Sequence, residues 1–251
     1  MRIFFFLTLL SSFAFSDNGP ELTSLFSAAN NPGSGILEMK TGEKSEKMIL
    51  GKESGYYGLG MVFSGNGLPE SYKSDFKDRE VVQLAFGSLK ADAQNKISQF
   101  AAATLVGPKL SLGKLLSFPF SISDEKKKKG NSENLGILLY SPPSTAKNLS
   151  DDEKLKITFF AADGYLNVLP IDAAKVFTAP SQNGEMKFTE QKVKVQFNAS
   201  LGTPFSDTVG KLEGVLEIPI YTPSSKAAEK LAGDIASKSL NFQSRSTATK
   251  K

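Results

Sequence analysis

Carboxylates are the side chains in this sequence with the widest choice of chemistry. Histidine and cysteine are both absent. Their absence removes imidazole general-base catalysis, Ser-His-Asp and Cys-His nucleophiles, and zinc sites built on imidazole or thiolate. Two loose acidic trios remain. Asp75, Asp78 and Glu80 lie in a long charged connection, and Asp151, Asp152 and Glu153 precede Leu155. Hard oxygen ligands of this kind could serve Ca²⁺, which takes six to eight, and no organic cofactor is implied. Neither trio has the spacing of an EF-hand loop. The plainer reading of the first is a solvated loop. For the second it is a helix start, where acids complement the dipole. A two-carboxylate glycosidase needs its carboxyls roughly 5–10 Å apart, a separation that only the fold can supply. No catalytic or cofactor-binding residue is assigned.

Other chemistry is excluded more directly. Gly58-Leu59-Gly60 is a lone G-x-G inside an apolar run and not a phosphate-binding loop. Tryptophan is absent, which leaves Tyr56, Tyr57, Tyr72 and Tyr165 as the rings for any sugar-stacking platform. Lys126–Lys129 reads as a solvated linker. Asn148-Leu149-Ser150 and Asn198-Ala199-Ser200 match the glycosylation pattern, but Asn198 falls in mid-strand. With 30 basic and 26 acidic residues, the charge is too balanced to imply nucleic acid or an anionic membrane.

The elements that must position these residues are strands. Gly35–Lys40 and Glu46–Leu50 flank a turn at Thr41-Gly42-Glu43. Tyr56–Ser64 alternates, with Tyr57, Leu59, Met61 and Phe63 as the expected core row. Gly58 and Gly60, on the other face, suggest close approach of a neighbouring backbone. Val81–Phe86 is a short strand, and Leu110–Ile122 alternates with Pro119 on the outward phase. Leu135–Ser141 is followed by a Pro142-Pro143 break, and Ser150–Glu153 reads as a capping box for one helical turn. Further on, the spacing predicts a hairpin on Asp163-Gly164, another on Gln182-Asn183-Gly184, a bulge near Glu190-Gln191 and a half-buried strand at Val193–Leu201. A last strand, Leu212–Tyr221, carries Pro219 on its outward phase, so that Pro119 and Pro219 both mark sheet edges or bulges. Ala228, Leu231, Ala232 and Ile235 predict a short amphipathic helix near Ser225–Ser237.

A partial repeat underlies this pattern. Gly87–Ala102 matches Gly184–Ala199 without a gap in six of sixteen positions, among them Phe100/Phe197 and Ala102/Ala199. Helical and strand periods compete in Ala91–Leu105, and the repeat decides for strand because Val193–Leu201 alternates strictly. The fold expected is therefore all-β: two tandem, similar sandwich- or barrel-like units, an internal duplication at an offset of about 97–100 residues, with a short C-terminal helix.

The organisation that follows is a signal peptide at 1–16, a lead-in at 17–33, a first unit at 34–123 and a charged linker at 124–134. A second unit spans 135–222, and a helix and basic tail span 223–251. The signal peptide rests on Arg2, the apolar run Ile3–Leu10 and Ala14-Phe15-Ser16, and no later stretch is apolar enough for a transmembrane helix. The expectation is an exported bacterial protein, periplasmic, outer-surface or secreted, that binds or builds without catalysis and whose partner is another envelope or surface protein. A carboxylate- or calcium-dependent hydrolase and an outer-membrane barrel are the alternatives.

Overall fold

A computed structural model describes residues 32–65, 78–88, 96–97, 99–108, 114–121, 134–147, 153, 156–181, 184–203 and 206–230. The first stretch supplies seven strands: β1 (Ser34–Thr41), β2 (Lys44–Leu50), β3 (Tyr56–Ser64), β4 (Glu80–Ser88), β5 (Lys96–Ile97), β6 (Phe100–Gly107) and β7 (Leu116–Ser121). The second supplies six: β8 (Leu135–Ser141), β9 (Ser144–Lys147), β10 (Phe159–Pro170), β11 (Lys175–Ser181), β12 (Gly184–Thr203) and β13 (Ser206–Pro223). Described helix is confined to 153, 156–157 and 226–230. The all-β expectation holds, and Phe100–Gly107 is a strand, as the repeat required.

Eleven strands form one sheet, and β5 pairs with β9 in a separate ladder. The large sheet closes on itself. β12 pairs with β13, β13 with β3, and the order continues β4, β6, β8 and β10, which returns to β12. β1 attaches along the middle of β13 and β2 along β1, β7 along β10, and β11 along the early half of β12. Strands from 34–123 and from 135–222 therefore pair with each other, at β1–β13 and at β6–β8. They also fill a common core that includes Phe86, Leu105, Phe118, Tyr140, Leu166, Phe197 and Ile220. Phe86 and Phe197 meet edge to face across it at 5.4 Å, a geometry that adds to the burial of both rings.

The repeated residues occupy opposite faces of this sheet. Phe197 and Ala199 point into the common core, whereas Phe100 and Ala102 belong to a separate cluster with Leu139. Strand alternation has period two, so matched residues on opposite faces cannot have matched surroundings.

Local expectations fare differently. The turn at Gly42-Glu43 joins paired strands as the spacing indicated, and β11 and β12 pair antiparallel from Ser181 and Gly184, while Gln182 and Asn183 lie outside the described residues. Asp163-Gly164 does not turn a hairpin. β10 runs straight through it, with a register shift between Ala161 and Asp163 where its neighbour changes from β8 to β7. Gly164 has φ +133°, and any side chain there would meet the carbonyl of Asn198 on β12. The glycine serves a bulge and a close strand approach.

The bulge expected near Glu190-Gln191 is absent, because β12 and β13 keep one register from Phe188 to Gly202. Phe188 and Val193 are both buried, on opposite faces, because the covered face of β12 changes along its length. Pro119 does lie on an edge strand, since β7 pairs with β10 alone. Pro219 lies in the sheet interior, between the last β1 pairing at Glu217 and the first β3 pairing at Ile220. There, β13 exchanges neighbours.

β3 inverts its expected faces. The core carries Val62 with Gly58 and Gly60, and a Cβ on Gly60 would stand 2.7 Å from Ile220 Cγ1. The close approach is thus made by large side chains, not by backbone. Leu59, Met61 and Phe63 point outward and are nevertheless buried.

Candidate functional site

The acidic trios do not form a metal centre among the described residues, where no group of three or more Asp, Glu, His or Cys is placed to hold an ion. Asp78 sits in a turn with φ 60°, Glu80 opens β4, and Glu153 is exposed in a helical turn. Asp75, Asp151 and Asp152 lie outside the described residues. The expected signal peptide at 1–16, the lead-in up to residue 31, Tyr72 and the part of the expected helix beyond Lys230 lie outside them too. Of the linker, only Asn134 is described, and its side-chain amide donates to the Ser117 carbonyl on β7.

Three polar arrangements take shape on the scaffold. The first spans the core. Gln99 Nε2 donates to Tyr140 Oη at 2.7 Å, and Tyr140 Oη donates to Glu46 Oε2 at 2.7 Å. Tyr140 points inward from β8, and Glu46 shares the inward face of β2 with Met48 and Leu50. Burial first, and then the bond to Glu46, raises the Tyr140 pKa, while Gln99 opposes them. A phenol held neutral in this way acts as a relay of hydrogen bonds. It ties the β1–β2 hairpin to β8, which is not its neighbour in the sheet.

The second lies on the buried outward face of β3, β4, β6 and β8. Register aligns Tyr221, Met61, Gln83, Thr104 and Ile137 in one row across five strands. Gln83 and Thr104 are each 1% exposed, and neither the Gln83 amide nor the Thr104 hydroxyl has a hydrogen-bond partner. The Tyr221 hydroxyl is also buried without a bond of good geometry; burial first, and then the Glu190 carboxylate opposite, raises its pKa. Unpartnered polar atoms in such a place cost stability.

The third is the exposed outward face of β2, β1, β13, β12, β10 and β7. Here Ile49, Ile36 and Val215 stand side by side on three adjacent strands. Their exposures are 51%, 46% and 46%. The row continues through Gln196, Asn167 and Ser117. Charges border the apolar trio. Lys40 meets Glu213 at 3.3 Å, Lys47 meets Glu38 at 3.9 Å, and Lys192 meets Glu217 at 3.0 Å. The Ser45 hydroxyl, more than any charge, holds the Glu38 carboxyl below its ordinary range, and Lys211 does so for Glu213.

Of the candidate stacking rings, Tyr165 lies on this face and is exposed, while Tyr56 and Tyr57 are half-buried on β3. The alternation of β1 and β13 does carry a trace of the trio, because Ile36 falls between Ser34 and Glu38 and Val215 between Glu213 and Glu217 on their phases. The Gln99–Tyr140–Glu46 chain leaves no such trace, since its members are 41 and 94 residues apart.

No family model matches this chain, no curated protein matches it in sequence, and no solved structure matches its fold.

Proposed function

We propose that the chain is an exported, non-enzymatic binding or structural protein of the bacterial cell envelope, whose partner is another envelope or surface component. One observation carries this reading. An apolar trio stays exposed on a broad sheet face whose surrounding charges already satisfy one another. Apolar surface rimmed in this way is the ordinary anatomy of a docking site. The barrel interior is packed with side chains, so ligand contact falls to the outside. The apolar leader Ile3–Leu10 supports export.

The hydrolase alternative draws on acidic trios of which only Asp78, Glu80 and Glu153 are described, and these do not gather. Against the membrane barrel stands the polar outward face of β1, β2, β12 and β13. A lipid-facing surface carries an apolar band on every strand instead. No described helix is long and apolar enough to cross a membrane. The tandem duplication is kept as a proposal of descent, supported by the six matched positions and separate from the shared core that the strands now build.

The test is cell fractionation with Ile36→Ser, Ile49→Ser and Val215→Ser combined. The exported wild type should sediment with envelope fragments, and the triple variant should move to the soluble fraction while keeping its circular dichroism. Equal sedimentation of both would contradict the docking role of this face.

A further inference from the structure

We propose that the outward face of β7, β10 and β12 around Tyr165 binds a neutral glycan; this rests on reading the chain as an envelope binding protein and names the ligand class for part of its exposed face. Three rows cross these strands in register: Gln196–Asn167–Ser117, Asn198–Tyr165–Pro119 and Ser200–Asp163. Tyr165 is 44% exposed at the centre of the grid. Around it stand amides, hydroxyls, one proline and one carboxylate, with no lysine or arginine.

The neighbouring β2, β1 and β13 strands carry Lys47, Lys40, Lys211, Glu38, Glu213 and Glu217 on the same face. An anionic ligand finds its counter-charge there and at Lys192 and Lys194 further along β12, whereas the Tyr165 grid carries the single carboxylate of Asp163. The grid measures roughly 10 Å by 14 Å from strand and residue spacings, wide enough for two linked pyranose rings.

The chemistry matches a sugar on both sides. A pyranose offers an apolar C–H face, for which an exposed phenol ring is a flat partner. Its hydroxyls both donate and accept, as do the amides of Asn167, Gln196 and Asn198. Backbone geometry holds the platform in place. Gly164, directly before Tyr165, lets β10 lie against β12 at Asn198, where a Cβ would meet the Asn198 carbonyl. Tyr165 is also paired on both sides, with Asn198 and with Pro119. The ring is thus presented from the middle of a ladder and not from a loose edge.

The experiment is a titration of the purified exported chain, followed by ¹⁵N-resolved NMR. The probes are cellotetraose and chitotetraose, with tetragalacturonate as the charged control. At least one neutral tetraose should shift the amides of Asp163–Asn167 and Gln196–Ser200. Tyr165→Ala should weaken that binding roughly tenfold, Tyr165→Phe should retain most of it, and Val176→Ser, at an exposed site on β11, should leave it unchanged. Tyr165 is exposed, so the alanine variant should keep its fold, which its own spectrum reports.

The proposal is overturned if neither neutral probe shifts these residues at millimolar concentration, if tetragalacturonate binds as well, or if Tyr165→Ala binds like wild type. Should that happen while the wild-type chain still sediments with envelope fragments, the ligand class is wrong and the binding reading stands. Failure of both removes both.

Discussion

The sheet has two outward faces that solve the same problem in opposite ways. On β3, β4 and β6 the outward row is apolar and buried: Leu59, Met61, Phe63, Val81, Ala102 and Val106, interrupted by Gln83 and Thr104 without partners. On β2, β1 and β13 the outward row is charged, exposed and cross-linked by ion pairs around Ile36, Ile49 and Val215. Both faces back onto the same core. Burial thus sets the chemistry each face can hold. The covered face tolerates polar groups only at a cost, and the open one pairs Glu38, Glu213 and Glu217 with lysines and keeps apolar groups available for contact.

The core beneath both faces should give the largest response. Phe197→Ala removes a buried ring that meets Phe86 at 5.4 Å, and should lower the unfolding free energy by about 3–5 kcal/mol. Chemical denaturation checks this, and a loss below about 1 kcal/mol would mean that the rings do not share a packed core.

Tyr140→Phe comes next. It removes both bonds of the Gln99–Tyr140–Glu46 chain, at an expected cost of about 1–3 kcal/mol near neutral pH. The folded pKa of Tyr140 is raised above the ordinary value of 10.0. Its contribution is therefore fully present below that value and is lost as pH rises above it. Melting curves across the alkaline range should fall more steeply for wild type than for the phenylalanine variant. Parallel curves would remove the relay from the account.

The two faces are then contrasted by matched substitutions. Thr104→Val on the buried face discards an unpartnered hydroxyl without changing shape, and should stabilise by about 1–2 kcal/mol. The same change at exposed Thr178 on β11 should stay within about 0.5 kcal/mol. Destabilisation by Thr104→Val would show that its hydroxyl has a partner.

The smallest effect belongs to the ion-paired face. Glu38 and Glu213 have folded pKa values below the ordinary 4.5. The stability they contribute is present above that value and is lost as pH falls below it. Glu38→Gln should flatten the acid side of the melting profile slightly, and salt should do the same to wild type.

How much of this was legible in the sequence depends on how local the cause is. Alternation and turn chemistry are local, and they located most strands, the Gly42-Glu43 turn and the antiparallel pairing of β11 with β12. Which face is the core is not local. The large row of β3 looked like core, but the space opposite Gly58 and Gly60 is filled by Ile218 and Ile220 from a strand more than 150 residues away. Asp163-Gly164 carries a hairpin signature, yet tertiary pairing to β12 and β7 turns it into a bulge. Phe188 and Val193 suggested a bulge because the covered face of β12 changes along the strand, which mimics a phase slip. At the site, Tyr165 was visible as a ring but not as an exposed one. Its neighbours Asn198 and Pro119 come from strands that only the sheet brings alongside.

The most direct test of one shared core is to cut the chain where the sequence divides it. A lysine-specific protease should cleave within 124–134 at Lys126–Lys129, and the product should be run on gel filtration and then melted. Both pieces are expected to elute together at the size of the intact chain and to unfold in a single transition. Two separately eluting, separately melting folded pieces would contradict the closed sheet described here.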